Sequence, residues 1–164
     1  MATLTSTITE TVTINGAARG STNTLTISGV DDIYHRVVTC IANVDTTVAH
    51  FNTQVDVEDA AVDVQNAKYV RVTNLDPSPS GNPINLNLQI DVTESGSGAA
   101  AANETATILV GPGESFVMGT PHDSIAVYDT DASAQTTLHD LESILVDPGA
   151  NAVQVEVFIA GVVA

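Results

Sequence analysis

Four histidines, His35, His50, His122 and His139, and one cysteine, Cys40, are the side chains of this sequence best suited to nucleophilic, acid–base or metal chemistry. No histidine stands at metal-ligand spacing from another histidine or from Cys40. His122-Asp123 has the composition of a catalytic dyad, but neighbouring residues on an extended chain point to opposite faces, which separates the two groups. Cys40 lies within the apolar run Val37-Val38-Thr39-Cys40-Ile41-Ala42 and reads as a small buried hydrophobe. A lone cysteine also excludes an internal disulfide.

The carboxylates offer a second kind of chemistry. Asp56, Glu58, Asp59 and Asp63 cluster in sequence, as do Asp129 and Asp131, yet both groups lack the glycine-bearing loop and fixed ligand spacing of a strong calcium motif. They read as solvated faces. Gly111-Pro112-Gly113 has no lysine and sits between strand patterns, so it is no phosphate loop. Asn103-Glu104-Thr105 fits a glycosylation acceptor only by chance where no secretory signal precedes it. Arg36, Lys68 and Arg71 are expected to pair with carboxylates in a sheet. Only Tyr34, Tyr69 and Tyr128 could stack on a sugar, and there is no Trp, which counts against a lectin. No catalytic, cofactor-binding or metal-ligating set emerges, and the chain is not read as an enzyme. A β-sandwich hydrolase ranks last, because no carboxylate pair or histidine-centred triad assembles.

Charge limits the partners. With 20 acidic and 4 basic residues the formal charge is −16, which repels phosphate backbones and anionic lipid surfaces alike. Nucleic acid and membrane are therefore not expected partners. The acid is spread along the chain rather than gathered in a tail, the mark of a solvated surface. Met1-Ala2-Thr3-Leu4 begins no secretory signal, and no window approaches a membrane-spanning apolar run.

The elements that must hold these groups are strands. Val, Ile and Thr abound, and β-branched side chains suit a pleated surface. Leu4, Ser6, Ile8, Glu10, Val12 and Ile14 alternate with Thr; Asn15-Gly16 signals a turn, and Leu25-Thr26-Ile27 resumes the alternation. Residues 1–28 thus read as a β-hairpin or arm, able to pair with a neighbouring subunit's sheet edge or to clamp a partner. Residues 29–164 read as the body. Within it, 33–42 is a buried strand with 47–51 as its short partner, and 69–75 is a strand ended by the proline-rich stretch 76–83. Ile84 to Val92 alternates five apolar and four polar residues without error. Residues 95–102 form a Gly/Ser/Ala-rich loop, 105–110 a strand continued by 116–118 beyond a turn, 124–128 another strand, and 152–159 the last. Leu138 to Leu145 alone shows helical spacing. The expected fold is all-β: an antiparallel β-sandwich, jelly-roll-like, with an N-terminal hairpin arm.

Four phrases carry a family resemblance: Val12-Thr13-Ile14-Asn15-Gly16, Arg36-Val37-Val38-Thr39, Tyr69-Val70-Arg71-Val72-Thr73-Asn74-Leu75-Asp76 and Leu109-Val110-Gly111-Pro112-Gly113-Glu114-Ser115-Phe116. In that order, across roughly residues 5 to 160, the chain resembles small virion structural proteins of marine tailed phages, especially cyanophages. The resemblance implies a capsid decoration, or cement, protein made in the host cytoplasm and seated on the outer capsid surface. Its implied partner is the major capsid protein, with homo-oligomer (dimer or trimer) formation expected, and it supplies no catalytic residues or cofactors. The alternative from a different class is a receptor- or glycan-binding module of a phage fibre or tail.

Overall fold

The computed structural model describes residues 1–52, 62–77, 79–92, 102–127 and 137–163. The described residues are all-β, and their antiparallel sheets stack as a sandwich. One sheet joins β10 (Ala102–Val110), β9 (Ile84–Val92), β12 (Leu141–Asp147), β6 (Thr46–Asn52) and the two-residue β7 (Val62–Asp63), in that order. The other joins β11 (Ser115–Met118), β8 (Ala67–Asn74), β13 (Val153–Gly161) and β5 (Asp32–Cys40).

Among the eight longer body strands, taken in chain order, the first pairs with the last, the second with the seventh, the third with the sixth and the fourth with the fifth. That is how an antiparallel ribbon folded back at the β9–β10 connection and wrapped over itself would pair. β8–β13 and β9–β12 close the sheets between those pairs.

Alternation builds the core. Ile84, Leu86, Leu88 and Ile90 of β9 are buried, as are Val153, Val155, Val157 and Ile159 of β13. All of these but Ile90 join Val70, Val72, Ile144 and Val146 in one apolar cluster between the sheets. Two polar links cross it. The Tyr34 hydroxyl on β5 donates to the Val48 carbonyl on β6 at 2.9 Å, and Asn74, wholly buried at the end of β8, donates through Nδ2 to the Val110 carbonyl of β10.

A separate two-stranded ribbon precedes the sandwich: β1 (Ala2–Thr9) with β4 (Thr22–Val30), tipped by β2 (Thr13–Ile14) and β3 (Ala17–Ala18). Asn15 and Gly16, both at positive φ (52° and 78°), form the tip turn that the Asn-Gly pair signals. Gly20 allows the returning chain to touch the outgoing one, since a Cβ there would land on the Glu10 carbonyl oxygen. The Thr3, Thr5, Thr7 and Thr9 side chains face Ser28, Thr26, Thr24 and Thr22 across the ribbon, so one face is a ladder of hydroxyls. The other face carries Leu4, Ser6 and Ile8 opposite Ile27, Leu25 and Asn23. Where the ribbon meets the body, register shifts and Gly29 takes φ 78°, a bulge geometry that favours glycine.

Several expectations need correction. β6 is not the partner of β5, because the two lie in different sheets and β6 pairs with β12. β11 does not continue β10, because the turn at 111–114 carries the chain into the other sheet. Residues 138–145 are not helical, since β12 begins at Leu141 with a register shift between Leu141 and Ser143. The extra residue puts Leu141, Ile144 and Val146 all inward, and that three-then-two spacing imitates a helix. Of the strand expected over 124–128, a single bridge, Ile125 with His139, is present among the described residues; Tyr128 lies outside them.

Candidate functional site

Among the histidines, His122 has the most elaborate surroundings. Its Nδ1 lies 2.9 Å from Asp140 Oδ1 and 3.2 Å from Asp123 Oδ2. Asp140 Oδ1 also accepts the Asp123 backbone N–H at 2.8 Å. The expected divergence of His122 and Asp123 fails because Asp123 is not extended. At φ 47° it occupies the left-handed region and turns its carboxylate back to the ring. Asp140, just before β12, was unread in the sequence, being 18 residues from its partner, and no local pattern announces that meeting.

Chemically this cluster holds a histidine by two acids. Two carboxylates orient the ring, but the described contacts of His122 include no hydroxyl or thiol for it to activate. Asp140 also lines a cleft of about 260 Å³ with His50, Phe51, Asn52, Val64, Leu141 and Glu142.

Cys40 is wholly buried in the core, and that burial raises its thiol pKa, opposed by a hydrogen bond with Thr46. Raised, it is a poorer thiolate and a poorer nucleophile. His35 and Arg71 meet on the outer face of the four-stranded sheet, where Glu156 accepts from both, at 2.8 and 2.7 Å. Hydrogen bonds from His35 and then Arg71 hold the Glu156 carboxyl below its ordinary range. Of the three body cations expected to pair with acids, only Arg71 makes an ion pair among the described residues. Lys68 caps the Gln65 carbonyl, and Arg36 lies 5.0 Å from the centroid of the Tyr34 ring.

The remaining sequence candidates are turn-makers or lie outside the described residues. Asp63 accepts the backbone N–H groups of Gln65 and Asn66; Asp56, Glu58, Asp59, Asp129 and Asp131 are not described. Glu114 folds back to accept the Gly111 N–H, closing the 111–114 turn. Tyr69 is 5% exposed and offers no open ring face for a sugar, while Tyr34 is part-buried, with its hydroxyl on Val48 and Arg36 over its ring.

The surface feature with the clearest departure from its surroundings is the ribbon. At its base Leu4, Ile27, Val30 and Val162 pack with Tyr69, Phe158 and Ala160, side chains on the outer face of the four-stranded sheet. Further out the ribbon lifts away. Ile8 and Leu25 face Val117 and Tyr69 across a groove of about 220 Å³. Ile8, Leu25, Val12 and Ile14 all remain about half exposed.

No family model, curated protein or solved structure matches the chain. The reading of function therefore rests on its own residues.

Proposed function

We propose that the chain is a capsid decoration protein of a tailed phage, a jelly-roll sandwich that binds the outer surface of the major capsid protein lattice and stabilises the head. The observation that carries this reading is the ribbon. It is a projecting element with half-exposed Ile8, Val12, Ile14 and Leu25, mounted on a strongly acidic sandwich. Half-exposed apolar side chains on a projection are the anatomy of a docking element rather than of a substrate pocket. The strand pairing of first with last and second with seventh supports the jelly-roll form, an architecture used in viral shells among other places. Fold alone does not assign the partner. The capsid enters through the four ordered phrases that resemble phage virion proteins.

Acidity agrees with that placement. A net charge of −16 suits the outside of a particle better than the inner face against packaged DNA. The glycan-binding alternative is weakened by the burial of Tyr69 and by Arg36 lying over the part-buried Tyr34 ring.

The test is co-sedimentation of purified protein with capsids that lack it, alongside a glycan array. Saturable capsid binding, a raised capsid disruption temperature and a blank array are expected. A protein that ignores capsids and selects a sugar overturns the reading.

A further inference from the structure

Side-chain charge divides unevenly along the chain. Residues 1–30 contain one acid, Glu10, and one base, Arg19, so the remaining 19 acidic and 3 basic residues, with the whole net charge of −16, fall in residues 31–164. Two copies approaching through their sandwiches would bring like charges together, with repulsion felt over a screening length of about 8 Å at physiological salt. Approaching through their ribbons, they meet no net charge.

Neutrality also discriminates between occupants. A basic partner would gain from the acidic body and has no use for an uncharged contact. Copies of one strongly acidic chain require such a contact. The ribbon has the rest of what a self-complementary surface needs. Among the described residues β1 and β4 pair only with each other, so each leaves one backbone edge without a described strand beside it. Ile8 and Leu25 are 58% and 48% exposed, beside Val117 at 43%. A two-stranded ribbon in water is marginal by itself, and a second ribbon laid on its apolar face across a two-fold axis would cover that face.

We propose that the β1–β4 ribbon joins two copies of this chain about a two-fold axis, with Ile8 and Leu25 of each copy buried against the other's ribbon. The proposal deepens the assembly reading above but does not depend on the capsid being the larger partner.

Sedimentation velocity of the full chain without capsids, over a wide concentration range and from low to high NaCl, tests it. A dimer is expected that tightens as salt rises, because screening relieves repulsion between the bodies while leaving an apolar contact intact. The double variant Ile8→Glu/Leu25→Glu should weaken dimerisation by about a hundredfold or more, the loss of two exposed apolar anchors per copy. A matched control, Ile33→Glu/Val37→Glu, adds the same charge at exposed apolar sites on the acidic body and should weaken it far less. Circular dichroism and urea midpoints establish that both variants fold. A monomer under all conditions, a dimer that dissociates as salt rises, or equal losses in the two variants would each overturn the proposal. The capsid reading fails separately, through absence of co-sedimentation by the wild-type chain.

Discussion

The Ser6 hydroxyl of the ribbon lies 3.3 Å from the Tyr69 hydroxyl on the outer face of the four-stranded sheet. This contact marks the point where ribbon and sandwich part. Towards the base, Leu4 and Ile27 are packed on the sheet; beyond it, Ile8 and Leu25 stand over open groove. Tyr69 also packs edge-to-face with Phe158, ring centroids 6.2 Å apart, so one side chain serves both the hydrogen bond and the apolar seat.

Truncating that side chain should release the ribbon without unfolding the body. Tyr69→Phe keeps the ring and removes one hydrogen bond, at a cost of about 1 kcal/mol. Tyr69→Ala empties the seat and should speed amide exchange in Thr3–Thr9 and Thr22–Ser28, while β9, β12 and β13 stay protected. Hydrogen exchange followed by mass spectrometry reads the difference, and uniform acceleration through the sandwich would show that the ribbon does not move separately.

Asn74 is the polar pin of the sandwich. Its Nδ2 donates to the Asn82 carbonyl at 2.8 Å and to the Val110 carbonyl at 3.3 Å, while its Oδ1 accepts the Asp76 N–H at 3.0 Å. Asn74→Leu is similar in size but strands all three partners. A loss of about 3 kcal/mol follows, since each unsatisfied buried group costs roughly 1–3 kcal/mol. Urea denaturation measures it, and a loss below about 1 kcal/mol would mean that the 76–83 loop repacks freely.

The core should behave as a single packed layer. Leu88 of β9 is 1% exposed in the centre of the larger cluster. Leu88→Ala should destabilise by about 2–5 kcal/mol, whereas Thr105→Ala on the exposed side of neighbouring β10 should fall within about 0.5 kcal/mol. Equal effects at the two positions would place the core elsewhere.

How much of this was legible depended on whether neighbours or distant strands set each residue's environment. The unbroken alternation of β9 and of Val153, Val155, Val157 and Ile159 in β13 announced two half-buried strands, and Asn15-Gly16 announced the ribbon's tip. β12 was hidden because its bulge breaks the period of two. Sheet membership was hidden too: β6 follows β5 closely in sequence yet lies across the core, a choice that alternation cannot express. The His122–Asp140 contact depends on the positive φ of Asp123 and on a strand start far along the chain. The groove depends on the angle at which the ribbon leaves the sheet.

Acid should act on Glu156 in a defined direction. Hydrogen bonds from His35 and Arg71 lower its folded-state pKa, so its contribution is whole above the unfolded-chain value near 4.3 and is lost as pH falls through the lowered folded value. Glu156→Gln should cost about 0.5 kcal/mol at neutral pH, as expected for a partly solvated surface pair. The gap from wild type should close as pH falls below the carboxylate range, under about 4. Thermal unfolding across pH gives the comparison, and a gap that fails to close in acid would contradict the assigned direction.

Whether the chain assembles on a phage head, as proposed, is decided by imaging the particles of a tailed phage that encodes it to side-chain resolution. The expected result is the sandwich on the outer capsid surface, bound to the major capsid protein, with its acidic body towards solvent. Finding it in a tail fibre, inside the shell against DNA, or absent from the particle would contradict it.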